Sequence, residues 1–155
     1  MQADRAASSH PAGWRVSLRC ELEEIRPAVQ AVHTFLASQG WQDEELMSFD
    51  LALVEACANA VKYAGENGRK HPVELEADTD AAGVEFRVHD HTPGFEWPQK
   101  IELPVPTSGR GRGLYLISSI MDSADYFRGR NGNILVMRKR RAHPAVHENP
   151  AQKIA

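Results

Sequence analysis

Three polar side chains recur at helical spacing within residues 50–64 and have the chemistry to act on a phosphate and its metal ion. Glu55, Asn59 and Lys62 stand at positions i, i+4 and i+7, so on a helix they form one narrow stripe. A carboxylate can accept a proton, an amide oxygen can ligate Mg²⁺, and an ammonium group can neutralise phosphate oxygens. A solvated helix face has the same composition, so this triplet alone leaves both interpretations open.

The stretch that carries this stripe also has a broad apolar face on its opposite side, which predicts an amphipathic helix packed on a core. The residues of this face are Leu46, Phe49, Leu53, Ala56, Cys57, Ala60, Val61 and Ala64. We expect Asp43 to cap the start of this helix and Gly65 to end it. An earlier helix is expected to begin near Glu24, because Pro27 is tolerated only in a first turn.

A second candidate residue, Asp90, closes a predicted strand. Residues 73–78 and 84–89 alternate apolar and polar side chains, and a short connection at 80–83 joins them as a hairpin. The alternation places Asp90 on the inward face, where an unpaired carboxylate would be very unfavourable. It could cap the following turn, pair with a buried arginine or accept N–H groups of a ligand. Gly94 is either a turn glycine or a point where the backbone approaches a ligand.

A glycine-rich segment, SGRGRGLYL at 108–116, leads into a third predicted helix. Unpaired N–H groups and the positive helix end suit a phosphate group, and Arg110 and Arg112 would add cationic donors. A flexible hinge is the alternative, but the glycines stop where the apolar helix residues begin, and this favours phosphate. The segment is not a Walker A motif, because GK[ST] is absent. The aperiodic stretch 93–112 has the length of a functional or mobile loop.

Length and composition are those of one ordinary globular domain, with 155 residues, 42% of them hydrophobic and 25% charged. The net charge of −3 argues against a general nucleic-acid-binding protein. Cys20 and Cys57 lack metal-site spacing and are expected to be buried thiols in a reducing compartment. Without a membrane-spanning run or a hydrophobic signal core, we expect a cytoplasmic protein. The domain is expected at 14–140, between a flexible N-terminus (1–13) and a flexible tail (141–155).

The predicted elements follow the order helix, helix, hairpin, loop, helix, hairpin, after a weakly alternating edge strand at 14–20. This order predicts an α+β fold in which about three helices pack on one face of a mixed, mostly antiparallel sheet. In the last hairpin we expect a strand to begin at Tyr126 and a turn at Asn131 and Gly132.

The segments EACANAVKYA, HDHTPGF and GRGRGLYLISSIMD, taken in order, resemble the three nucleotide-binding boxes of the Bergerat-fold (GHKL) ATPase and kinase superfamily. That superfamily includes histidine kinases, gyrase B, Hsp90 and MutL. The short chain and the closing GLYLISSIMD are most similar to the anti-sigma-factor serine kinases of bacterial partner-switching systems. The resemblance covers about 22–137 and implies a two-layer, histidine-kinase-like domain that uses ATP and Mg²⁺.

The resemblance also implies roles for the residues of the first two boxes. Asn59 would ligate Mg²⁺ at the ATP phosphates, and Glu55 would be the general base that accepts the proton of a substrate serine. Lys62 matches a position that can approach phosphate. Asp90 would accept a hydrogen bond from the adenine amino group, and Gly94 would let the chain pass close to the base.

In the third box, the resemblance implies that Gly111, Arg112, Gly113 and Leu114 wrap the phosphates, under a lid formed by 98–110. Arg110, at the end of that lid, is counted among the ATP-binding residues. The family pattern after the third strand is D-x-G-x-G, and here Thr92 stands at the first glycine position. Its hydroxyl can still serve an adenine-bound water, so Thr92 is also an expected ATP-binding residue.

The activity implied by the resemblance is that of an ATP-dependent protein serine kinase that also binds a sigma factor. Its substrate would be the STAS-domain antagonist of that sigma factor. The resemblance implies no direct nucleic-acid or membrane partner. Family members commonly form homodimers, for which an apolar edge around 14–18 and the first helix offers a surface. The alternatives are a non-catalytic, ATP-gated anti-sigma binding module and a detached histidine-kinase catalytic domain. Intact Glu55 argues against the binding-only alternative.

Overall fold

The computed structural model describes residues 12–94 and 112–142, which form five strands and four helices. The strands are β1 (Ala12–Leu18), β2 (Val73–Thr79), β3 (Gly83–Asp90), β4 (Ser123–Gly129) and β5 (Gly132–Arg140). The helices are α1 (Ile25–Ser38), α2 (Asp43–Lys62), the single turn α3 (Gly65–Gly68) and α4 (Arg112–Ile120). A 3₁₀ turn, Leu22–Glu24, leads into α1.

The strands form one sheet in the order β1-β2-β3-β5-β4, on which α1, α2 and α4 pack. The predicted α+β class is therefore confirmed. Every strand pair of the described sheet is antiparallel, so the mixed portion that the sequence allowed is not found there. The strand predicted near the N-terminus lies at one edge, as expected, and β4 lies at the other. Because β5 is inserted between β3 and β4, residues distant in sequence meet beside the end of β3.

The core is centred on aromatic rings that join the helices to the sheet. Phe49 of α2 packs edge-to-face on Phe86 of β3, with ring centroids 5.3 Å apart, and on Trp41, at 5.1 Å. The apolar face predicted for α2 is buried from Leu46 to Val61. These contacts fix the rotation of α2 about its axis, and that rotation decides where its polar stripe points.

Two predicted helix boundaries differ in detail from the structure. The N-cap of α2 is Gln42, which forms a reciprocal capping box with Glu45, while Asp43 is the first helical residue. The prediction that Asp43 caps the helix is thus wrong by one position, although its charge still suits the helix start. The helix ends at Lys62, and Gly65, with φ of +67°, instead begins α3.

The last hairpin begins earlier and turns one residue sooner than predicted. Strand β4 starts at Ser123, and Gly129 pairs with Gly132, so residues 130–131 form the turn. Gly132 has φ of +118°, and a Cβ there would lie 2.7 Å from the backbone oxygen of Asp90. The glycine is therefore required by close approach to β3 as well as by its backbone conformation.

The face of the sheet opposite the helices carries a network of ion pairs. Arg87 donates hydrogen bonds to Glu76, Glu85 and Asp78. Burial lowers the pKa of Arg87, but these three carboxylates outweigh that effect and raise it. The network satisfies the buried carboxylate of Glu76, which also pairs with Arg15. Among the described residues, no helix combines the length and apolarity needed to cross a membrane.

Thr79→Val is expected to lower the free energy of unfolding by about 1–3 kcal/mol, measured by denaturant titration. The buried Thr79 hydroxyl accepts a hydrogen bond from Trp41 Nε1 at 2.9 Å and donates one to the oxygen of Gly83 at 2.8 Å. Valine would leave Nε1 of Trp41 without its acceptor, whereas the oxygen of Gly83 would keep the hydrogen bond from the backbone N–H of Asp80. The control Thr34→Val, on the exposed side of α1, should change stability by less than about 0.5 kcal/mol. Equal losses in the two variants would contradict this account.

Candidate nucleotide-binding site

The first and third sequence motifs meet where α4 packs against α2. Glu55 and Asn59 are half-buried on the side of α2 that faces the start of α4. A Cβ placed on Gly113 would lie 2.7 Å from Oε2 of Glu55 and 3.6 Å from Nδ2 of Asn59. The glycine therefore lets the N-terminus of α4 approach both polar side chains. Two residues predicted to act on phosphate and metal are brought together beside a helix end that favours anions.

The second motif supplies a buried carboxylate at the end of β3. The side chain of Asp90 points inward, as the alternation predicted, and the residue is 5% exposed. Its Oδ1 accepts hydrogen bonds from Thr92 N (2.9 Å), Thr92 Oγ1 (2.8 Å) and Asn133 Nδ2 (2.9 Å). Within the described residues, its Oδ2 accepts one, from the hydroxyl of Tyr126 at 3.2 Å. Asp90 thus caps the following turn through Oδ1, whereas Oδ2 takes no part in that cap and is the oxygen that suits a ligand's N–H group.

Thr92, which stands where the family pattern has glycine, braces this carboxylate. Its hydroxyl donates to Asp90 and accepts a hydrogen bond from the backbone N–H of Gly94 at 3.0 Å. Gly94 has φ of +86°, and a Cβ there would lie 2.7 Å from Nε of Arg128. Glycine is therefore needed at position 94 for two reasons, its backbone conformation and the close approach of Arg128.

Two buried or half-buried residues at this site were not identified from the sequence. Asn133 of β5 donates to Asp90 and to the backbone oxygen of Thr92, at 3.0 Å. Tyr126 of β4 was expected only as the start of a strand. Burial raises the pKa of Tyr126 to about 12, so its phenol is protonated at neutral pH and can donate. Asn133 lies two residues before Leu135 and therefore on the same inward face of β5. A polar side chain at that position was the one signal that could have pointed to Asn133.

A small cavity connects the three motifs. Its walls come from α2, β3, α4 and the β4–β5 hairpin, and its volume is about 10 Å³. The lining residues are Ala56, Asn59, Ala60, Val88, Asp90, Thr92, Leu114, Tyr126 and Leu135. The cavity therefore combines apolar walls with the buried carboxylate of Asp90 at one end and the amide of Asn59 toward α4. A nucleotide needs such a combination, because its nucleobase is largely apolar and its phosphate chain is polar.

The remaining predicted site residues are placed as follows. Leu114, near the start of α4, lines the cavity, and Arg112 is the first residue of α4 and exposed. Lys62 is the last residue of α2, exposed and one turn beyond Asn59. Arg110 and Gly111 lie outside the described residues, as does the predicted lid.

These donors and acceptors fit a nucleotide with a divalent cation. The buried carboxylate offers acceptors only, which suits an exocyclic amino group, and the amide oxygen of Asn59 is a suitable ligand for Mg²⁺. The absence of a Cβ at Gly113 lets the start of α4 lie against Glu55 and Asn59, and the first backbone N–H groups of a helix are suited to binding phosphate oxygens.

The fold and the three motifs define an ATPase domain of the two-layer α+β kind. The chain belongs to the histidine kinase-like ATPase domain family, whose model matches residues 18–139, and the resemblance to the Bergerat-fold superfamily is confirmed. No curated protein matches the chain significantly in sequence.

Two solved structures have a similar fold. One contains the RsbU and RsbW domains of Rv1364c from Mycobacterium tuberculosis, with 16% identity over 86% of this chain and a TM-score of 0.63. The present chain spans about a third (33%) of that chain. The other is the SiaB–SiaC complex from Pseudomonas aeruginosa, with 11% identity, coverage of 87% of this chain and 93% of that chain, and a TM-score of 0.55. At these identities the likeness shows the fold.

Asp90→Asn is expected to weaken ATP binding about tenfold or more, measured by calorimetry, because a charged acceptor for the adenine amino group is lost. Purine riboside 5′-triphosphate lacks that amino group, so its binding should weaken less. The control Asp125→Asn, an exposed carboxylate on β4, should leave both affinities unchanged. Unchanged ATP affinity in Asp90→Asn would show that Asp90 does not recognise adenine.

Proposed function

We propose that this protein is an ATP-dependent serine kinase that also binds a sigma factor and phosphorylates the STAS-domain antagonist of that factor on serine. The observation that carries the proposal is the placement of Glu55 beside Asn59 and against Gly113 at the start of α4. A domain that only bound ATP would not need a carboxylate there. The fold shared with structures named for RsbW and for SiaB–SiaC supports the partner-switching part of the proposal.

In the proposed reaction Glu55 is the general base. Its carboxylate accepts the proton of the substrate serine while the serine oxygen forms a bond to the γ-phosphorus of ATP. The bond from that phosphorus to the β–γ bridging oxygen breaks, and ADP leaves. Because such a transition state needs little covalent help, catalysis consists mainly of positioning and charge stabilisation. The N-terminus of α4 contributes backbone N–H groups to this stabilisation.

Asn59 is the proposed protein ligand of Mg²⁺, which when bound would neutralise charge on the phosphate groups. Asp90, Thr92 and Gly94 are proposed to hold the adenine end. The proposed phosphate-binding residues are Lys62, Arg110, Gly111, Arg112, Gly113 and Leu114.

A homodimer through β1 and α1 is also proposed. Trp14 is 44% exposed on the edge strand β1 and stacks on Phe35 of α1, with ring centroids 5.7 Å apart. Within the described part of the chain β1 pairs on one side only, and a strand edge beside an exposed tryptophan is a surface that a second copy can cover. A cytoplasmic location and domain limits of 14–140 complete the proposal.

The test of the kinase proposal is incubation with γ-labelled ATP and the purified STAS-domain antagonist. Acid-stable label on a serine of the antagonist is the expected result. Binding of ATP and sigma factor without any label would identify an ATP-gated binding module instead. Acid-labile label on histidine would identify a detached histidine-kinase domain, and either outcome would overturn the proposal.

Glu55→Gln is expected to retain ATP binding and to lose at least about 10²-fold in the rate of phosphotransfer, because the proton acceptor is removed. Calorimetry and a single-turnover assay measure the two quantities separately. The matched control is Glu44→Gln, an exposed carboxylate three turns earlier on the same side of α2. Equal losses of ATP affinity and transfer rate in Glu55→Gln would point to a structural role for Glu55.

Gly113→Ala is expected to reduce phosphotransfer by about tenfold or more without lowering the melting temperature. The added Cβ would displace the Glu55 carboxylate, whose Oε2 lies 2.7 Å from its position, while alanine is favoured over glycine within a helix. The control Ser118→Ala changes an exposed position of the same helix. A normal transfer rate in Gly113→Ala would mean that the position of Glu55 is not critical.

A further inference from the structure

The phenol of Tyr126 occupies the acceptor that an adenine amino group would need. Among the described residues, the Oδ1 atom of Asp90 has three donors, from Thr92 and Asn133, whereas Oδ2 has one, the hydroxyl of Tyr126 at 3.2 Å. The same hydroxyl lies 3.5 Å from Thr92 Oγ1, so it reaches into the centre of the polar cluster. In this structure Tyr126 therefore makes the contact that is proposed for the nucleotide.

The cavity beside Tyr126 is too small for a purine. Its volume of about 10 Å³ is roughly that needed by one water molecule. The walls formed by Ala60, Val88 and Leu135 belong to the buried core and cannot withdraw without disrupting it. Leu114 and Tyr126 are half-buried, and Tyr126 lies on β4, which within the described sheet pairs with a neighbouring strand on one side. Entry of a base requires lining side chains to move, and Tyr126 is the one that holds the oxygen the base would use.

We propose that Tyr126 is a gate for the base: its ring fills the adenine position, its hydroxyl donates to Asp90 Oδ2, and nucleotide binding requires it to leave. The inference rests on the proposed ATP site and adds a residue on which affinity for adenine depends. Without nucleotide, Tyr126 satisfies a buried carboxylate oxygen that would otherwise be unpaired. When adenine binds, its amino group replaces the phenol, so one hydrogen bond is exchanged for another.

This exchange determines the effect of removing the hydroxyl. In Tyr126→Phe the free protein would leave Asp90 Oδ2 without its donor, whereas in the complex with adenine the amino group would supply that donor. The variant should therefore be less stable alone and should bind ATP more tightly than the wild type. If Tyr126 were instead part of the platform on which the base rests, the same substitution would leave the affinity unchanged or reduce it.

The experiment compares the ATP affinity of the wild type, Tyr126→Phe and the control Tyr63→Phe, an exposed tyrosine at the end of α2. We expect binding about three- to tenfold tighter in Tyr126→Phe, the size of one exchanged hydrogen bond, and no change in the control. Purine riboside 5′-triphosphate has no amino group to take over Asp90 and should bind more weakly than ATP to both proteins. Its affinity should nevertheless rise by the same factor in Tyr126→Phe, because the substitution acts on the free protein. The melting temperature of Tyr126→Phe should be lower without nucleotide and should rise more on adding ATP.

The outcomes separate this inference from the proposed function. Failure of the wild type to bind ATP would overturn both. Normal binding by the wild type, with weaker or equal binding by Tyr126→Phe, would overturn the gate alone. A structure of the wild type with ATP is a second test that does not depend on folding of the variant. The Tyr126 hydroxyl should then lie beyond hydrogen-bond distance of Asp90, and an intact bond to Oδ2 with adenine present would overturn the gate.

Discussion

The burial of one carboxylate, that of Asp90, is the constraint on which the rest of this site depends. A charge removed from water must be satisfied by donors, and a single strand end cannot supply enough of them. Thr92 provides two donors from the turn that follows β3, and Asn133 provides a third from β5. The third donor is available only because β5, rather than β4, is the neighbour of β3. The strand order thus has a direct consequence for the chemistry of the site.

A second constraint acts from the helix layer. The apolar face of α2 is held by the packing of Phe49 on Phe86, and this fixes the direction of its polar stripe. Glu55 and Asn59 then lie at the junction with α4, where Gly113 removes the steric barrier to close approach. Core contacts outside the site consequently fix the distance between two sets of groups: the carboxylate of Asp90 at the end of β3, and Glu55 and Asn59 beside the start of α4.

Much of this arrangement could be predicted from the sequence, because periodicity reports directly on which face a side chain occupies. The inward carboxylate of Asp90 followed from strict alternation along β3, and the stripe on α2 followed from helical spacing. The roles of Asn133 and Tyr126 could not be predicted in this way, since both depend on the pairing of β5 with β3, two strands that are not consecutive along the chain. The cap at Gln42 was missed for a local reason: neighbouring polar side chains can each cap a helix, and packing decides between them.

A site built around a buried acceptor has an unavoidable coupling between stability and affinity. The acceptor must be satisfied in the free protein as well as in the complex, so some internal group has to donate when no ligand is bound. Whatever that group contributes to the stability of the free state is subtracted from the binding free energy, because binding exchanges one donor for the other. Oδ1 of Asp90 has donors from Thr92 and Asn133, which tie β5 to the turn after β3. In the proposed gate the two oxygens of this carboxylate thereby have separate roles: Oδ1 keeps its internal donors, and Oδ2 exchanges Tyr126 for the base.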